Sequence, residues 1–142
     1  MRFLLFAAAA FAAILYGADT KTLRDAQGRV AGTVTAAPNG DKTYRDAKGA
    51  VIGTARKVGS TTVYRDRDGR VRATAVSHGN TDVLRDSRGR VIGTRNTTGS
   101  GDTKYGVYRN SAGQVTGTSA ATRGETRVIF RDSKGRIVAT GM

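Results

Sequence analysis

Arginine followed by aspartate recurs at regular intervals along this chain of 142 residues. The shared motif is a large apolar residue, Arg, and Asp or Asn, and its six arginines are Arg24, Arg45, Arg65, Arg85, Arg109 and Arg131. A guanidinium group binds phosphates and carboxylates through charge-assisted hydrogen bonds. The motif therefore has two interpretations: the arginines bind an anionic polymer, or each one only neutralises a turn aspartate.

A second basic residue follows the glycine of the motif in four copies, as Arg29, Arg70, Arg90 and Arg136. From residue 19 onward the chain carries 23 Lys and Arg against 11 Asp and Glu. The acidic residues cannot neutralise all of the basic ones, so we expect these four arginines to be largely unpaired. Together with the first six they are our candidates for binding phosphates or uronic acids.

The motif is part of a longer repeat. Its six copies are LRDAQG, YRDAKG, YRDRDG, LRDSRG, YRNSAG and FRDSKG, continued as RVAGT, AVIGT, RVRAT, RVIGT, QVTGT and RIVAT. The arginines are spaced by 21, 20, 20, 24 and 22 residues. A period of this length is typical of one supersecondary unit repeated along the chain.

Each unit predicts a β-hairpin. The residues that suit the first position of a type I turn are Asp25, Asp46, Asp66, Asp86, Asn110 and Asp132. The glycines that suit its left-handed closing position are Gly28, Gly49, Gly69, Gly89, Gly113 and Gly135. Further turn signals separate the units, at Asn39-Gly40, Gly59, Gly79-Asn80, Gly99-Ser100-Gly101 and Gly124. The sequence therefore predicts an all-β protein of six hairpin repeats of ~20 residues, or about twelve strands.

Alternation along the strands predicts their faces. In the third unit, Tyr64, Val71, Ala73 and Ala75 are expected to point inward, and the Arg and Thr positions outward. The glycines of the GT pairs (Gly32, Gly53, Gly93 and Gly117) are expected to make room for a large residue of a neighbouring unit. The units form either a hairpin solenoid or an antiparallel meander that curls or closes. With no cap after Thr140, an exposed edge strand is expected.

The N-terminus has the layout of a secretory signal peptide. Arg2 precedes an uncharged apolar run from Phe3, which ends in small residues at Ala18. The run is shorter than the ~20 residues that span a bilayer, although an uncleaved anchor remains the alternative. We therefore expect a signal peptide at residues 1–18, a repeat domain at residues 19–142, and a periplasmic, cell-surface or secreted protein.

The composition argues against an enzyme. The chain has no Cys and one histidine, His78, so the usual His and Cys metal sites cannot be drawn. The polar residues recur in every unit, whereas catalysis needs a few unlike residues brought together once. We expect a non-enzymatic protein with no metal and no cofactor. Nucleic acid is not favoured as a partner, because the arginine face lacks stacking aromatics and export limits the encounter.

The repeat resembles the YD or RHS repeats of bacterial surface and toxin-shell proteins, which centre on Tyr-Asp-x-x-Gly-Arg. The resemblance covers residues 22–141, and this chain departs from the pattern by the Arg between the apolar residue and the Asp. It implies a hairpin-repeat fold and a cell-surface or secreted setting. It transfers no site residue.

Three functions follow from these expectations. The first is an exported structural or adhesive module that contacts an anionic polymer at the cell envelope. The second is a subunit that assembles into filaments or shells through its edge strands. The third, from the resemblance alone, is a secreted toxin-associated fragment.

Overall fold

Twelve antiparallel strands close into a β-barrel in this computed structural model, which describes residues 20–123 and 127–141. The strands are β1 (Thr20–Asp25), β2 (Val30–Ala36), β3 (Lys42–Asp46), β4 (Val51–Val58), β5 (Thr61–Asp66), β6 (Val71–His78), β7 (Thr81–Asp86), β8 (Val91–Ser100), β9 (Thr103–Asn110), β10 (Val115–Thr122), β11 (Val128–Asp132) and β12 (Ile137–Gly141). The prediction of an antiparallel meander of hairpins is confirmed. The expected signal peptide, residues 1–18, lies outside the described residues.

The closure of the barrel joins the first strand to the last. β1 pairs with β12, and Leu23 lies opposite Gly141. All remaining pairs join strands that are consecutive in the sequence. The structure is therefore the closing meander and not the open solenoid. The exposed edge strand expected after Thr140 is wrong within this barrel, because Thr140 pairs with Arg24 of β1.

The six motif turns share one hydrogen-bond pattern. In the first, the Gly28 N–H donates to the Asp25 carbonyl at 3.0 Å, and the Asp25 N–H donates to the Arg29 carbonyl at 2.9 Å. The Asp25 Oδ1 accepts the N–H groups of Gln27 and Arg29, each at 2.9 Å. The same bonds recur in the other five turns, and the turn glycines have φ of 79 to 85°. A carboxylate or amide oxygen and a left-handed glycine thus close each turn.

The turns at the other end of the barrel are different. Gly59, Gly79 and Gly101 each have φ of 59° and open two-residue turns. Glycine in the first central position is the signature of the type II′ hairpin turn, whose twist matches that of the strands. Of the predicted turn glycines, Gly124 lies outside the described residues. In an up-and-down barrel these turns all lie opposite the motif turns, so the molecule has a motif end and an opposite end. We define the motif end as residues 24–31, 45–52, 65–72, 85–92, 109–116 and 131–138.

A β-bulge in each returning strand changes the predicted faces. Tyr64 pairs with Ala73 but Arg65 pairs with Val71, so Arg72 is an extra residue. Tyr64 and Ala75 are buried as expected. Val71, however, lies opposite the outward Arg65, and its counterparts in the other units, such as Val30 and Ile137, are exposed. The prediction of an inward Val or Ile is wrong, because the bulge places two successive residues on the outer face.

The large apolar residues of the motif fill the barrel interior near the motif end. Tyr44, Tyr64, Leu84 and Phe130 are buried, and the partly buried Leu23 and Tyr108 pack against them. Each lies opposite a Gly or Ala of the returning strand, for example Tyr44 opposite Gly53. This layer of six side chains positions the motif turns above it, because each one lies two residues before its turn Asp or Asn.

Small residues in the returning strands permit a close backbone approach. A Cβ added to Gly93 would lie 2.6 Å from the Arg109 carbonyl oxygen, and one added to Gly117 the same distance from that of Arg131. The space beside Gly93 and Gly117 is therefore occupied by the backbone of the neighbouring strand, and not by a large side chain as expected.

Candidate functional site

The motif arginines bind their own turns. The Nη1 of Arg24 donates to the Gly28 carbonyl at 2.9 Å, and the same bond, from the motif arginine to the glycine four residues later, recurs in all six units at 2.9–3.0 Å. This excludes the simplest form of the neutralisation hypothesis, in which each motif arginine pairs with a turn aspartate. The arginine instead satisfies the carbonyl that the left-handed glycine turns away from the strand ladder.

Four of the five turn aspartates pair with a downstream arginine. Arg29 Nε lies 2.8 Å from Asp25 Oδ2, and Arg136 Nε lies 2.7 Å from Asp132 Oδ2. Arg90 contacts Asp86 at 2.8 Å, while Asp66 is bound by Arg72 at 2.8 Å. The expectation that Arg29, Arg90 and Arg136 are unpaired is wrong. Arg70 forms no ion pair with any residue in the part of the chain that the structure describes.

The paired arginines stay accessible to solvent. The side chains of Arg29, Arg90 and Arg136 are 76, 70 and 73% exposed. Exposed ion pairs of this kind contribute only about 0–1 kcal/mol to stability. The pairing therefore leaves these guanidinium groups able to exchange an aspartate for another anion.

Hydrogen bonding lowers the pKa of four turn aspartates, Asp25, Asp66, Asp86 and Asp132. In Asp132 the N–H of Arg136 is the main cause of a lowered pKa, followed by desolvation, which acts against it, and by the Arg136 side chain. In Asp86 desolvation acts to raise the pKa, but the backbone and side chain of Arg90 and the N–H of Arg88 together lower it. The carboxylates are thus part of the turn at neutral pH.

Most of the charge of the barrel lies at the motif end. Its residues include fifteen Lys and Arg and six Asp, a net charge of +9. The remainder of residues 19–142 has eight Lys and Arg and five Asp and Glu, a net charge of +3. The candidate arginines therefore lie together at one end of the molecule.

The motif arginines form a ring and not a one-sided stripe. They lie on alternate strands, with Arg65 flanked by Val71 of β6 and Thr54 of β4. Neighbouring motif arginines are therefore two strand spacings apart, about 10 Å. Five of the six are exposed and Arg24 is half-buried.

A second polar cluster lies inside the barrel near the opposite end, and the sequence analysis did not identify it. Asp82 is 8% exposed. Its Oδ1 accepts the hydroxyl of Ser77 at 2.5 Å, and its Oδ2 accepts the Nε of Arg95 at 2.7 Å. Arg95 also hydrogen-bonds to Tyr108, whose hydroxyl lies 3.0 Å from the Ser119 Oγ. Alternation could have found these residues, because Asp82 lies two residues before the inward Leu84 and Arg95 two after Gly93.

Lysines extend this cluster. Desolvation, with repulsion from Arg95 and Lys57, lowers the pKa of Lys42 to about 8, and the opposing attraction of Asp82 is smaller. Burial also raises the pKa of the nearby Tyr64 to about 12. These groups line a cavity of about 160 Å³.

The described residues contain no group of three or more His, Cys, Asp or Glu side chains placed to hold a metal ion. Within residues 20–123 and 127–141, no helix has the length and apolar character needed to span a membrane. No protein-family model matches this chain, and no curated protein shows significant sequence similarity to it. Inference about function therefore depends on the two sites themselves.

Proposed function

We propose that this protein is an exported, non-enzymatic binding module that contacts an anionic polymer with its motif end. The observation that carries the proposal is the net charge of +9 on six turns of the same shape at one end of a closed barrel. Phosphate-rich or uronate-rich envelope polymers have the complementary charge.

Rigid presentation supports this function. The guanidinium group of each motif arginine donates a hydrogen bond to a turn carbonyl, and each turn is closed by four further hydrogen bonds. Ordered side chains lose less conformational entropy when they bind, so a preorganised ring gains affinity relative to flexible lysines. Several turns can contact one polymer at once, and such multivalent contact raises the apparent affinity without new bonds.

The proposed partner is tested by comparing heparin with neutral dextran as binding probes for residues 19–142. We expect heparin to bind at moderate salt, dextran not to bind, and the heparin affinity to fall as salt increases, because counterions compete for the arginines. Equal retention on the two polymers would contradict the proposal.

A matched pair of variants locates the contact. Replacing Lys48, Arg70, Arg88 and Lys134 by Gln removes four exposed charges from the motif end. Replacing Arg56, Lys104, Arg123 and Arg127 by Gln removes four exposed charges elsewhere. We expect the first variant to lose about tenfold or more in heparin affinity and the second to lose much less. Equal losses would show that net charge alone, and not the motif end, binds the polymer.

Assembly through edge strands is not carried forward as a proposal, because β1 and β12 pair with each other. The toxin-associated alternative rests on the repeat motif alone.

A further inference from the structure

The interior cavity reaches the surface at the opposite end of the barrel. Lys42 of β3, Asp82 of β7 and Arg95 of β8 line its inner part, while Lys57 of β4 and Gly40, which are exposed, form its rim. The layer of large apolar side chains at the motif end separates the cavity from the motif turns. Among the described residues, the cavity therefore opens toward the opposite end.

The charges in the cavity do not balance. Three cationic side chains, Lys42, Lys57 and Arg95, face one carboxylate, that of Asp82. Both oxygens of that carboxylate already accept hydrogen bonds, from Ser77 and Arg95. The residues that line the cavity have an excess charge of +2, and Asp41 offsets part of it at the rim, where its Oδ1 accepts the Lys57 N–H at 3.3 Å. The cations are close enough that Arg95 and Lys57 disfavour the protonated form of Lys42. An anion placed among them would relieve this repulsion.

The size of the cavity limits the ligand. Its volume is about 160 Å³. An engineered cavity of about 150 Å³ holds one benzene molecule, so the volume suits a ligand of about six heavy atoms. Pockets for drug-sized ligands begin at about 300 Å³, and the polymer proposed above cannot enter. The hydroxyl of Thr62 in the lining adds a hydrogen-bond donor that suits an oxygen atom of a ligand, whereas the Ser77 hydroxyl already donates to Asp82.

We propose that this cavity binds a small divalent oxyanion, with Lys42, Lys57 and Arg95 as its cationic ligands. Inorganic phosphate and a short dicarboxylate such as malonate share this chemistry. The site is separate from the motif end, so its test does not depend on the polymer.

Calorimetric titration of residues 19–142 with phosphate and with malonate at pH 7 and constant ionic strength tests the site. We expect one saturable site with a Kd of about 1 mM or tighter for at least one of the two anions. The anion that binds more tightly shows whether the site prefers a phosphate group or a pair of carboxylates. No saturable binding of either anion up to about 20 mM would overturn the proposal.

Two variants test the residues. We expect Lys57→Gln at the exposed rim and Lys42→Met inside to weaken anion binding about fivefold or more, as loss of one charged ligand should. Lys48→Gln, an exposed lysine at the motif end, is the control and should leave the affinity unchanged. If Lys42→Met fails to fold in a thermal scan, Lys57→Gln still decides. An equal loss in Lys48→Gln, or no loss in Lys57→Gln, would contradict the assignment.

The pH dependence gives a second readout. The groups that face Lys42 are Lys57, Arg95 and Asp82, with Tyr64 also in the lining. Desolvation, with repulsion from Arg95 and Lys57, lowers the pKa of Lys42 to about 8. Deprotonation removes one positive charge, so malonate affinity should fall about tenfold between pH 7 and pH 9.5. This fall should be absent in Lys42→Met. An affinity that stays constant with pH in the wild-type protein would contradict a role for Lys42.

Discussion

The motif arginine has a structural role that its charge does not reveal. It lies one residue before the turn aspartate, on the outer face, and reaches over the turn to the glycine carbonyl. Aspartate, glycine and arginine together complete a turn whose contacts span only six residues, from Arg85 to Arg90 in the fourth unit. Because these contacts are so local, the turn residues could be predicted from the sequence. The arginine's partner could not, since proximity in sequence favoured the aspartate.

Removing one motif arginine should destabilise the barrel. We expect Arg85→Met, which keeps the aliphatic stem but loses the bond to the Gly89 carbonyl, to lower the free energy of unfolding by about 0.5–1.5 kcal/mol. Chemical denaturation monitored by circular dichroism measures this change.

Arg88→Met is the control for Arg85→Met. Arg88 is exposed within the same turn, and only its backbone N–H takes part in the turn bonds. We expect it to leave stability within about 0.5 kcal/mol of the wild-type value. Equal destabilisation by the two variants would show that charge, and not the carbonyl bond, stabilises the turn.

At the scale of the strands, the bulge is the feature that sequence reasoning missed. Simple alternation placed Val71 inside together with Ala73, but the register shift between Tyr64 and Arg65 turns Val71 outward. A bulge depends on which residues of two strands face each other, and a single strand does not reveal this. The polar cluster inside the barrel was missed for a related reason. Lys42, Asp82 and Arg95 differ from unit to unit, so comparison of the units hid them.

Glycine in the returning strand is required where two backbones approach. We expect Gly93→Ala to lower the free energy of unfolding by about 1–3 kcal/mol, because the new methyl group would overlap the Arg109 carbonyl oxygen. Thermal and chemical unfolding of the variant measure the loss.

The equivalent position in the third unit is Ala73, which shows that a methyl group fits in that unit. Ala73→Gly is therefore the matched control. It should lower the free energy of unfolding by only about 0.5–1 kcal/mol, because glycine adds conformational entropy to the unfolded chain. A Gly93→Ala variant as stable as the wild-type protein would show that the strands can separate without cost.

At the scale of the whole molecule, the sequence does not distinguish a hairpin solenoid from a meander that closes. Each unit specifies its own hairpin, but the number of strands and their stagger decide whether a sheet meets itself, and no single unit carries that information. The pairing of Leu23 with Gly141 shows that twelve strands suffice here. Closure also gives every strand two hydrogen-bonded partners. This pairing is important for stability because the core consists of small residues and few aromatics.

Because the first and last strands pair, we expect the barrel to form when its chain ends are joined and new ends are made at another turn. A circular permutant that begins at Ser60, ends at Gly59 and joins Gly141 to Thr20 by a short Gly/Ser linker should fold, because those ends lie on paired strands. We expect a β-sheet circular dichroism spectrum and a cooperative thermal transition.

The control permutant is cut between Tyr64 and Arg65, inside β5. It should fail to fold cooperatively, because the cut interrupts pairing with both β4 and β6. An unfolded Ser60 permutant would contradict the closed arrangement of β1 and β12.

The repetition of one turn around a closed axis has a statistical consequence. A segment of the proposed anionic polymer that engaged one or two turns would find six orientations of the barrel built on the same turn in place of one. This rotational degeneracy favours binding by a factor of about six, or about 1 kcal/mol, without any additional contact. It would also let the proposed polymer move from one turn to the next as the barrel rotates, so that loss of one contact would not end the binding.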